Sequence, residues 1–189
     1  MRDSDGMDGF TVVYGGSFNP PHMGHQMACL YLLEALGAGA VWLLPTVHHP
    51  FGKNLAPFSH RVKMCQLMAH LFGNRVVVSE VEATPGTSGR TYDTLTRLHS
   101  ENPGQRFALA VGSDILGETS LWHRWDDIVS MVPVIVMGRG GYPHEQAGPV
   151  ELPPISSGDI RKRIHSGQGI DGLVPARITE YIERHGLYR

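Results

Sequence analysis

The feature that most constrains this chain is a repeated alternation between short, continuous apolar runs and longer segments with helical spacing. The apolar runs are 10–15, 40–44, 75–78, 106–111 and 132–137. Runs of this kind are typical of strands that are buried on both faces, and helices between them favour a parallel sheet. The sequence therefore predicts an α/β fold, a doubly wound (Rossmann-like) parallel sheet with helices on both faces.

Helical spacing of apolar residues predicts the segments between and after these strands. The predicted helices are 22–36, 58–72, 92–100, 125–131, 157–166 and 175–185, and the Gly- and Pro-rich stretch 138–149 is predicted to be a loop. In the first two helices the apolar positions that should face the core include Met27, Leu30 and Leu71. With 189 residues, the chain predicts a single domain, 1–189, in which the polar segment 1–9 is a flexible N-terminus.

Composition and charge narrow the class of partner. The formal net charge is −2, which gives no electrostatic reason to expect a nucleic-acid or membrane partner. No apolar run has the length of a membrane span, and the N-terminus does not resemble a signal peptide, so we expect a cytoplasmic protein. Cys29 and Cys65 lack metal-site spacing and are predicted to be reduced, buried thiols.

The segment after the first strand carries the chemistry. It reads Gly15-Gly16-Ser17-Phe18-Asn19-Pro20-Pro21-His22-Met23-Gly24-His25 and opens a helix. Free backbone N–H groups and the helix N-terminus predict an anion site, and the spacing of His22 and His25 places both rings on one face. The segment does not match the dinucleotide GxGxxG loop, the Walker loop or the GxSxG elbow. A metal site at the two histidines and a purely structural role for them remain alternatives.

Two motifs, in order, resemble those of the HxGH nucleotidyltransferase superfamily. The first is His22-x-Gly24-His25, and the second is Ile155-Ser156-Ser157-Gly158-Asp159-Ile160-Arg161, which is similar to the signature ISSTxIR. Two middle elements are similar to those of the bacterial nicotinate-nucleotide adenylyltransferase family: Thr91-Tyr92-Asp93-Thr94-Leu95, and Gly112-Ser113-Asp114 followed by Trp122 and Asp126-Asp127-Ile128.

The resemblance implies an enzyme that transfers the adenylyl group of ATP to nicotinate mononucleotide, with Mg2+ bound to the ATP and no metal ligands from the protein. His25 would donate at the α-phosphate, His22 would help to hold the phosphates, and Arg161 would grip the β- and γ-phosphates. Thr91 and Trp122 would lie against the nicotinate ring, and Asp114 on the nucleotide side. The remaining implied binding residues are Gly15, Gly16, Ser17, Phe18, Gly24, Ile155, Ser156 and Ser157.

Each implied role has a simpler alternative. Ser156 and Ser157 are also typical helix caps, Asp93 and Thr94 typical helix-start residues, and Trp122 a typical core anchor. Three positions depart from the family pattern: Gly158 replaces a threonine, Arg90 replaces a tyrosine, and Lys53 is displaced from its usual place.

Other acceptors are nicotinamide mononucleotide, which differs from the acid by one charge, and pantetheine phosphate. A cytidylyltransferase is a further possibility within the superfamily. A protein that kept the fold and lost catalysis is the alternative from another class. Because His22, Gly24, His25 and Arg161 are all present, the sequence favours an active enzyme.

Overall fold

Six parallel strands form one sheet in the computed structural model, which describes residues 6–47 and 55–189. Their order across the sheet is β3-β2-β1-β4-β5-β6. The strands are β1 (Phe10–Gly16), β2 (Ala40–Pro45), β3 (Val76–Val78), β4 (Arg106–Gly112), β5 (Val134–Arg139) and β6 (Glu151–Leu152). The five predicted strands are confirmed. The sixth was missed because its two residues, next to a Gly- and Pro-rich stretch, are too short to show a period.

All six predicted helices are present. They are α1 (Met23–Leu30), α2 (Phe58–Ala69), α3 (Thr91–Glu101), α4 (Trp125–Met131), α5 (Ser157–His165) and α6 (Ala176–His185). A π-helical segment, Tyr31–Ala35, continues α1, and a 3₁₀ segment, His70–Arg75, continues α2. Two further 3₁₀ segments, Val81–Ala83 and Ser113–Leu121, were not predicted. None of the described helices is long and apolar enough to cross a membrane.

Each face of the sheet has its own core, which confirms the doubly wound fold. Neighbouring residues of β1 point to opposite faces, as in any strand. Val12 belongs to the first core, which α1, α2, α5 and α6 cover, and Val13 belongs to the second core, which α3 and α4 cover. Cys29 and Cys65 are both buried and unpaired in the first core, as predicted.

Three predicted core positions are wrong. Met27 and Leu30 on α1 are 42% and 52% exposed, and Leu71 is 58% exposed. The buried face runs instead through Gly24 and Ala28 of α1 and Leu32 of the π-helical segment, at four-residue spacing, and Met27 and Leu30 lie off this face. Leu71 lies in the 3₁₀ segment after α2, none of whose residues is buried.

The strand register brings the functional loops to one edge. Gly16 pairs with Pro45, and Gly112 pairs with Met137, so that β1, β2, β4 and β5 all end at the same edge of the sheet. The strand order changes direction between β1 and β4, which are neighbours in the sheet. In open parallel sheets this point, at the carboxyl ends of the strands, is where ligands bind.

Candidate active site

The loop from β1 to α1 lies at this point and is tightly packed on one side. The ring of Phe18 is 1% exposed and meets Tyr14 and His25 edge-on, at centroid distances of 5.8 and 4.9 Å. Phe18 has a φ of 44°, a left-handed conformation that is uncommon outside glycine. Beside Gly15, by contrast, a Cβ atom would meet nothing within 4 Å. The loop therefore has a packed side and an open side.

Three carbonyl oxygens of this loop accept hydrogen bonds from α2 and α5. Arg61 donates to Ser17, Arg161 donates to Asn19, and the hydroxyl of Ser157 donates to Pro20, each over 2.8 Å. The bonds from Arg161 and Ser157 join the second motif to the loop just before the first motif, more than 130 residues away in the chain. Because the carbonyls are engaged by the protein, their partial negative charge is offset and does not face an anionic ligand unopposed.

The two histidines form a stacked pair, as their spacing predicted. Their ring centroids are 3.7 Å apart with an interplanar angle of 27°. The backbone N–H of His22 donates to Nδ1 of His25 over 3.1 Å. Since Nδ1 of His25 is an acceptor, the neutral ring must carry its proton on Nε2, which leaves that N–H as a donor for a ligand.

Both rings are held in the neutral form. Burial, with a smaller contribution from the Arg139 charge, lowers the pKa of His22 to about 3. Burial also lowers the pKa of His25 well below its usual value, and the neighbouring His22 and Arg139 lower it further. His25 nevertheless keeps part of its surface open. At neutral pH both side chains can donate hydrogen bonds without carrying a charge.

Gly24 leaves room for the His22 ring. A Cβ atom at position 24 would lie 3.1 Å from two atoms of that ring, closer than side chains normally approach. Nδ1 of His22 is itself buried and has no hydrogen-bond partner among the described residues. Such an atom inside a protein is costly, and at a functional site it is a candidate contact for a ligand or water.

The residues of the second motif, at the start of α5, have two different structural roles. Ser156 is the N-cap, whose hydroxyl accepts from the backbone N–H of Asp159 over 3.1 Å. Ser157 and Arg161 instead reach the loop after β1. At Gly158 a Cβ atom would meet Ser156 Oγ at 3.5 Å, an ordinary contact, so the structure does not require glycine there.

Arg139, which the sequence analysis missed, connects three parts of the site. Its guanidinium pairs with Asp114 and donates from Nη2 to the carbonyl of Ile155 over 3.2 Å, and its backbone N–H donates to Ser113 Oγ over 3.0 Å. It thereby joins the end of β4, the end of β5 and the segment before α5. An arginine at the last position of a buried strand was the available signal.

Thr91 and Trp122 lie on the other side of the sheet. Thr91 begins α3, and Trp122 follows the 3₁₀ segment 113–121. Trp122 packs on the second core and meets Trp125 edge-on at 5.4 Å. The contacts of the described residues do not join either side chain to the histidine pair. Lys53, like all of 48–54, lies outside the described residues.

A partly buried carboxylate links α3 to the end of β2. Glu82 accepts hydrogen bonds from the hydroxyls of Thr46, over 3.1 Å, and Thr94, over 3.3 Å. Burial raises the pKa of Glu82, although these hydrogen bonds oppose the shift. Thr94 thus does more than start a helix, which sequence spacing alone could not show.

Comparison with known proteins gives a consistent result. The sequence profile of the cytidylyltransferase-like family matches residues 13–163. A protein of Anaeromyxobacter dehalogenans called a probable nicotinate-nucleotide adenylyltransferase is 49% identical over 180 residues, covering 94% of this chain and 96% of that protein. A protein of Myxococcus xanthus with the same description is 42% identical, with 94% of each chain covered.

Solved structures share the fold. The nicotinic acid mononucleotide adenylyltransferase of Plasmodium falciparum, complexed with NaAD, superposes with a TM-score of 0.81 at 20% identity, covering 94% of this chain and 96% of that one. A structure described as a putative nicotinate-nucleotide adenylyltransferase of Vibrio parahaemolyticus gives a TM-score of 0.74 at 21% identity, covering 95% and 94% of the two chains. At these identities the likeness concerns the fold alone.

Proposed function

The chain belongs to the nicotinate-nucleotide adenylyltransferase family, and we propose that it transfers the adenylyl group of ATP to nicotinate mononucleotide, giving deamido-NAD and pyrophosphate. The observation that carries this proposal is the stacked, neutral pair His22 and His25 beside a loop whose carbonyls are turned onto the protein. That arrangement suits the binding of phosphates better than acid–base chemistry.

The reaction needs positioning more than proton transfer. An oxygen of the acceptor phosphate forms a bond to the α-phosphorus of ATP, and the bond from that phosphorus to the pyrophosphate oxygen breaks. A phosphate monoester has a second pKa near ~6, so it is largely a dianion at neutral pH and needs no general base. The protein must hold two anions together and stabilise the charge that develops between them.

His25 is the group proposed to act at the α-phosphate. Its Nδ1 is engaged by the His22 backbone, so that Nε2–H is the donor left for a phosphate oxygen. His22 would hold the neighbouring phosphate oxygens. A neutral donor fits here because the depressed pKa values keep both rings from competing with the phosphates for protons.

Arg161 is proposed to hold the β- and γ-phosphates. Nη1 binds the Asn19 carbonyl, and a guanidinium has five N–H donors, so further donors are left for phosphate oxygens. In this arrangement the arginine stabilises the loop and the leaving group at once. Ser157, which already binds the Pro20 carbonyl, and the cap Ser156 would complete the phosphate side.

Magnesium would arrive with ATP. The described residues contain no group of three or more side chains that could hold a metal ion. Mg2+ keeps much of its water and binds substrate phosphates readily, so such a group is not needed. The ion would neutralise part of the charge on the leaving pyrophosphate.

The acceptor is proposed to lie on the second-core side. Thr91 at the start of α3 and the partly buried Trp122 would contact the pyridine ring. Asp114, fixed by Arg139, would contact the nucleotide. The backbone of Gly15, Gly16, Ser17 and Phe18 would contact both substrates, with Gly24 and Ile155 lining the same region.

Pyrophosphate release with competing acceptors tests this proposal. Purified protein with ATP and magnesium is offered nicotinate mononucleotide, nicotinamide mononucleotide or pantetheine phosphate. A strong preference for the first supports the proposal. Preference for either of the others would reassign the acceptor, and no release with any of them from folded, ATP-binding protein would favour a binding protein without catalysis.

A further inference from the structure

Arg61 on α2 is a charged side chain buried in the protein interior. It is 1% exposed and is the largest fully buried side chain among those described. Burial lowers the pKa of its guanidinium. Among residues 6–47 and 55–189, no carboxylate forms an ion pair with it. A buried charge without a counter-ion costs several kcal/mol. A hydrophobic residue of similar volume at this position would therefore be expected to give a more stable fold than the arginine.

The hydrogen bonds of Arg61 point to the loop after β1. Nη1 donates to the Ser17 carbonyl over 2.8 Å, and Nε donates to the Ala56 carbonyl over 2.9 Å. The backbone N–H of Ala56 in turn donates to Oδ1 of Asn19 over 3.0 Å. One planar side chain therefore fixes the start of α2 and the loop relative to each other.

The Ser17 carbonyl differs from the other two carbonyls that the protein holds. The carbonyls of Asn19 and Pro20 are each followed by a proline nitrogen, which carries no hydrogen. The peptide group of Ser17 leads into Phe18 and does carry an N–H. In a trans peptide the C=O and N–H bonds point in opposite directions. When Arg61 draws the Ser17 oxygen toward α2, the Phe18 N–H must point to the opposite side.

That N–H has no acceptor among the described residues. The same loop is open at Gly15, where a Cβ atom would meet nothing within 4 Å. On the basis of the proposed function, we infer that Arg61 is a positioning residue, which aims the Phe18 N–H at a phosphate oxygen of ATP. Its uncompensated charge, in a medium of low polarity behind the loop, also attracts the phosphates.

Tyr188, near the C-terminus, lies close to Arg61 and Arg161. The Tyr188 hydroxyl is buried and has no hydrogen-bond partner among the described residues. Burial raises the pKa of this phenol, and the positive charges of Arg161 and Arg61 oppose the shift. Tyr188 thus lies near both guanidinium groups that hold the loop. The two arginines form one support, assembled from α2, α5 and the C-terminus.

Titration of ATP and magnesium into the protein without acceptor tests this inference. The variants are Arg61→Met, which removes charge and hydrogen bonds, and Arg61→Lys, which keeps the charge but loses the two-pronged geometry. The control is Met68→Ala, a fully buried residue two turns further along α2. We expect both Arg61 variants to raise the Kd for ATP at least about tenfold, while Met68→Ala lowers Tm and leaves that Kd unchanged.

The amide resonance of Phe18 gives a second measurement. In ¹⁵N-phenylalanine-labelled protein, ATP should shift this resonance in the wild type and fail to do so in Arg61→Met. A Kd within twofold of wild type in a folded Arg61→Met protein would overturn the inference. So would failure of both Arg61 variants to fold, because the guanidinium would then serve the fold. If the wild type itself does not bind ATP, the proposed function fails instead.

Discussion

The proposed phosphate side and the proposed acceptor side of the site are built differently. The phosphate side, meaning residues 15–25 with the start of α5, is held by hydrogen bonds from buried or partly buried groups on α2 and α5. The acceptor side, meaning Thr91 and Trp122 with their neighbours, has the hydrogen bond from Thr94 to Glu82 but is otherwise held by ring packing and by an exposed ion pair, Arg124 with Asp127 at 2.6 Å. Exposed ion pairs contribute little stability.

This difference suggests how the two sides divide the work. Buried hydrogen-bond networks hold the groups that they join rigidly, and a reaction between two bound phosphates requires this, since a misplacement of about 1 Å can cost about 100-fold in rate. Ring packing at a partly exposed surface tolerates substitution, which suits a surface that selects one acceptor among similar ones. Changes on the phosphate side should therefore alter turnover, and changes on the acceptor side should alter the KM for the acceptor.

The largest effect is expected for His25→Ala. Removing an electrostatic donor at the reacting phosphate should lower kcat by about 100-fold or more, as for loss of an oxyanion-hole donor. The exposed His144 provides the matched control, since His144→Ala should leave kcat unchanged. Steady-state kinetics with nicotinate mononucleotide measures both, and circular dichroism checks folding. Unchanged turnover in a folded His25→Ala protein would refute the proposed role of the histidine.

A smaller effect, confined to the acceptor, is expected for Trp122→Ala. Loss of a partly buried indole should raise the KM for nicotinate mononucleotide about tenfold and leave the KM for ATP within twofold, since an aromatic contact contributes roughly 1 kcal/mol. Leu121→Ala is the control, because the Leu121 side chain is next to Trp122 in the chain and is 67% exposed. Equal changes in the KM for nicotinate mononucleotide and the KM for ATP would mean that Trp122 stabilises the structure of the whole site rather than contacting the acceptor.

The smallest effect is expected in the pH dependence of stability. His22 stays neutral in the folded protein down to a pKa of about 3, whereas in the unfolded chain it binds a proton near pH 6.5. The unfolded state therefore binds more protons between these values, and the free energy of unfolding falls as the pH drops, by up to ~1.4 kcal/mol per pH unit for this group.

Urea unfolding between pH 7 and pH 5 measures this slope. In His22→Gln the slope should become flatter by up to that amount, because the neutral glutamine gains no proton in the unfolded chain. An identical slope in wild type and variant would show that His22 titrates normally in the folded protein. The result would also remove the argument that the pair acts as neutral donors.

The two sides also differ in how far the sequence predicted them. The residues of the loop after β1, the histidine pair and the second motif stand in contiguous patterns, and the structure brings these segments together. Thr91 and Trp122 were inferred from resemblance alone, and their contact with a substrate remains a prediction. The difference arises because local spacing on a helix start is fixed by backbone geometry, whereas contact across a sheet edge is not.

Supporting residues were the main omission. The charge of Arg61 suggests a surface position, whereas the structure buries its side chain and bonds the guanidinium to the carbonyls of Ser17 and Ala56. Arg139 falls in the stretch 138–149 that was predicted to be a loop, but in the structure it is the last residue of β5 and pairs with Asp114. The sequence does not distinguish the roles of Ser156 and Ser157. In the structure Ser156 caps α5, and Ser157 donates a hydrogen bond to the Pro20 carbonyl of the loop.

The sequence by itself determined the alternation of strands and helices, the two-sided burial of the sheet and the position of the proposed anion site. These depend on residue periods and on backbone groups near each other in the chain. The tertiary structure alone decided which side chains hold the loop and which proton His25 carries. Those depend on contacts such as Arg61 with Ser17 and Arg161 with Asn19, between residues 44 and 142 positions apart. No local pattern encodes such distances.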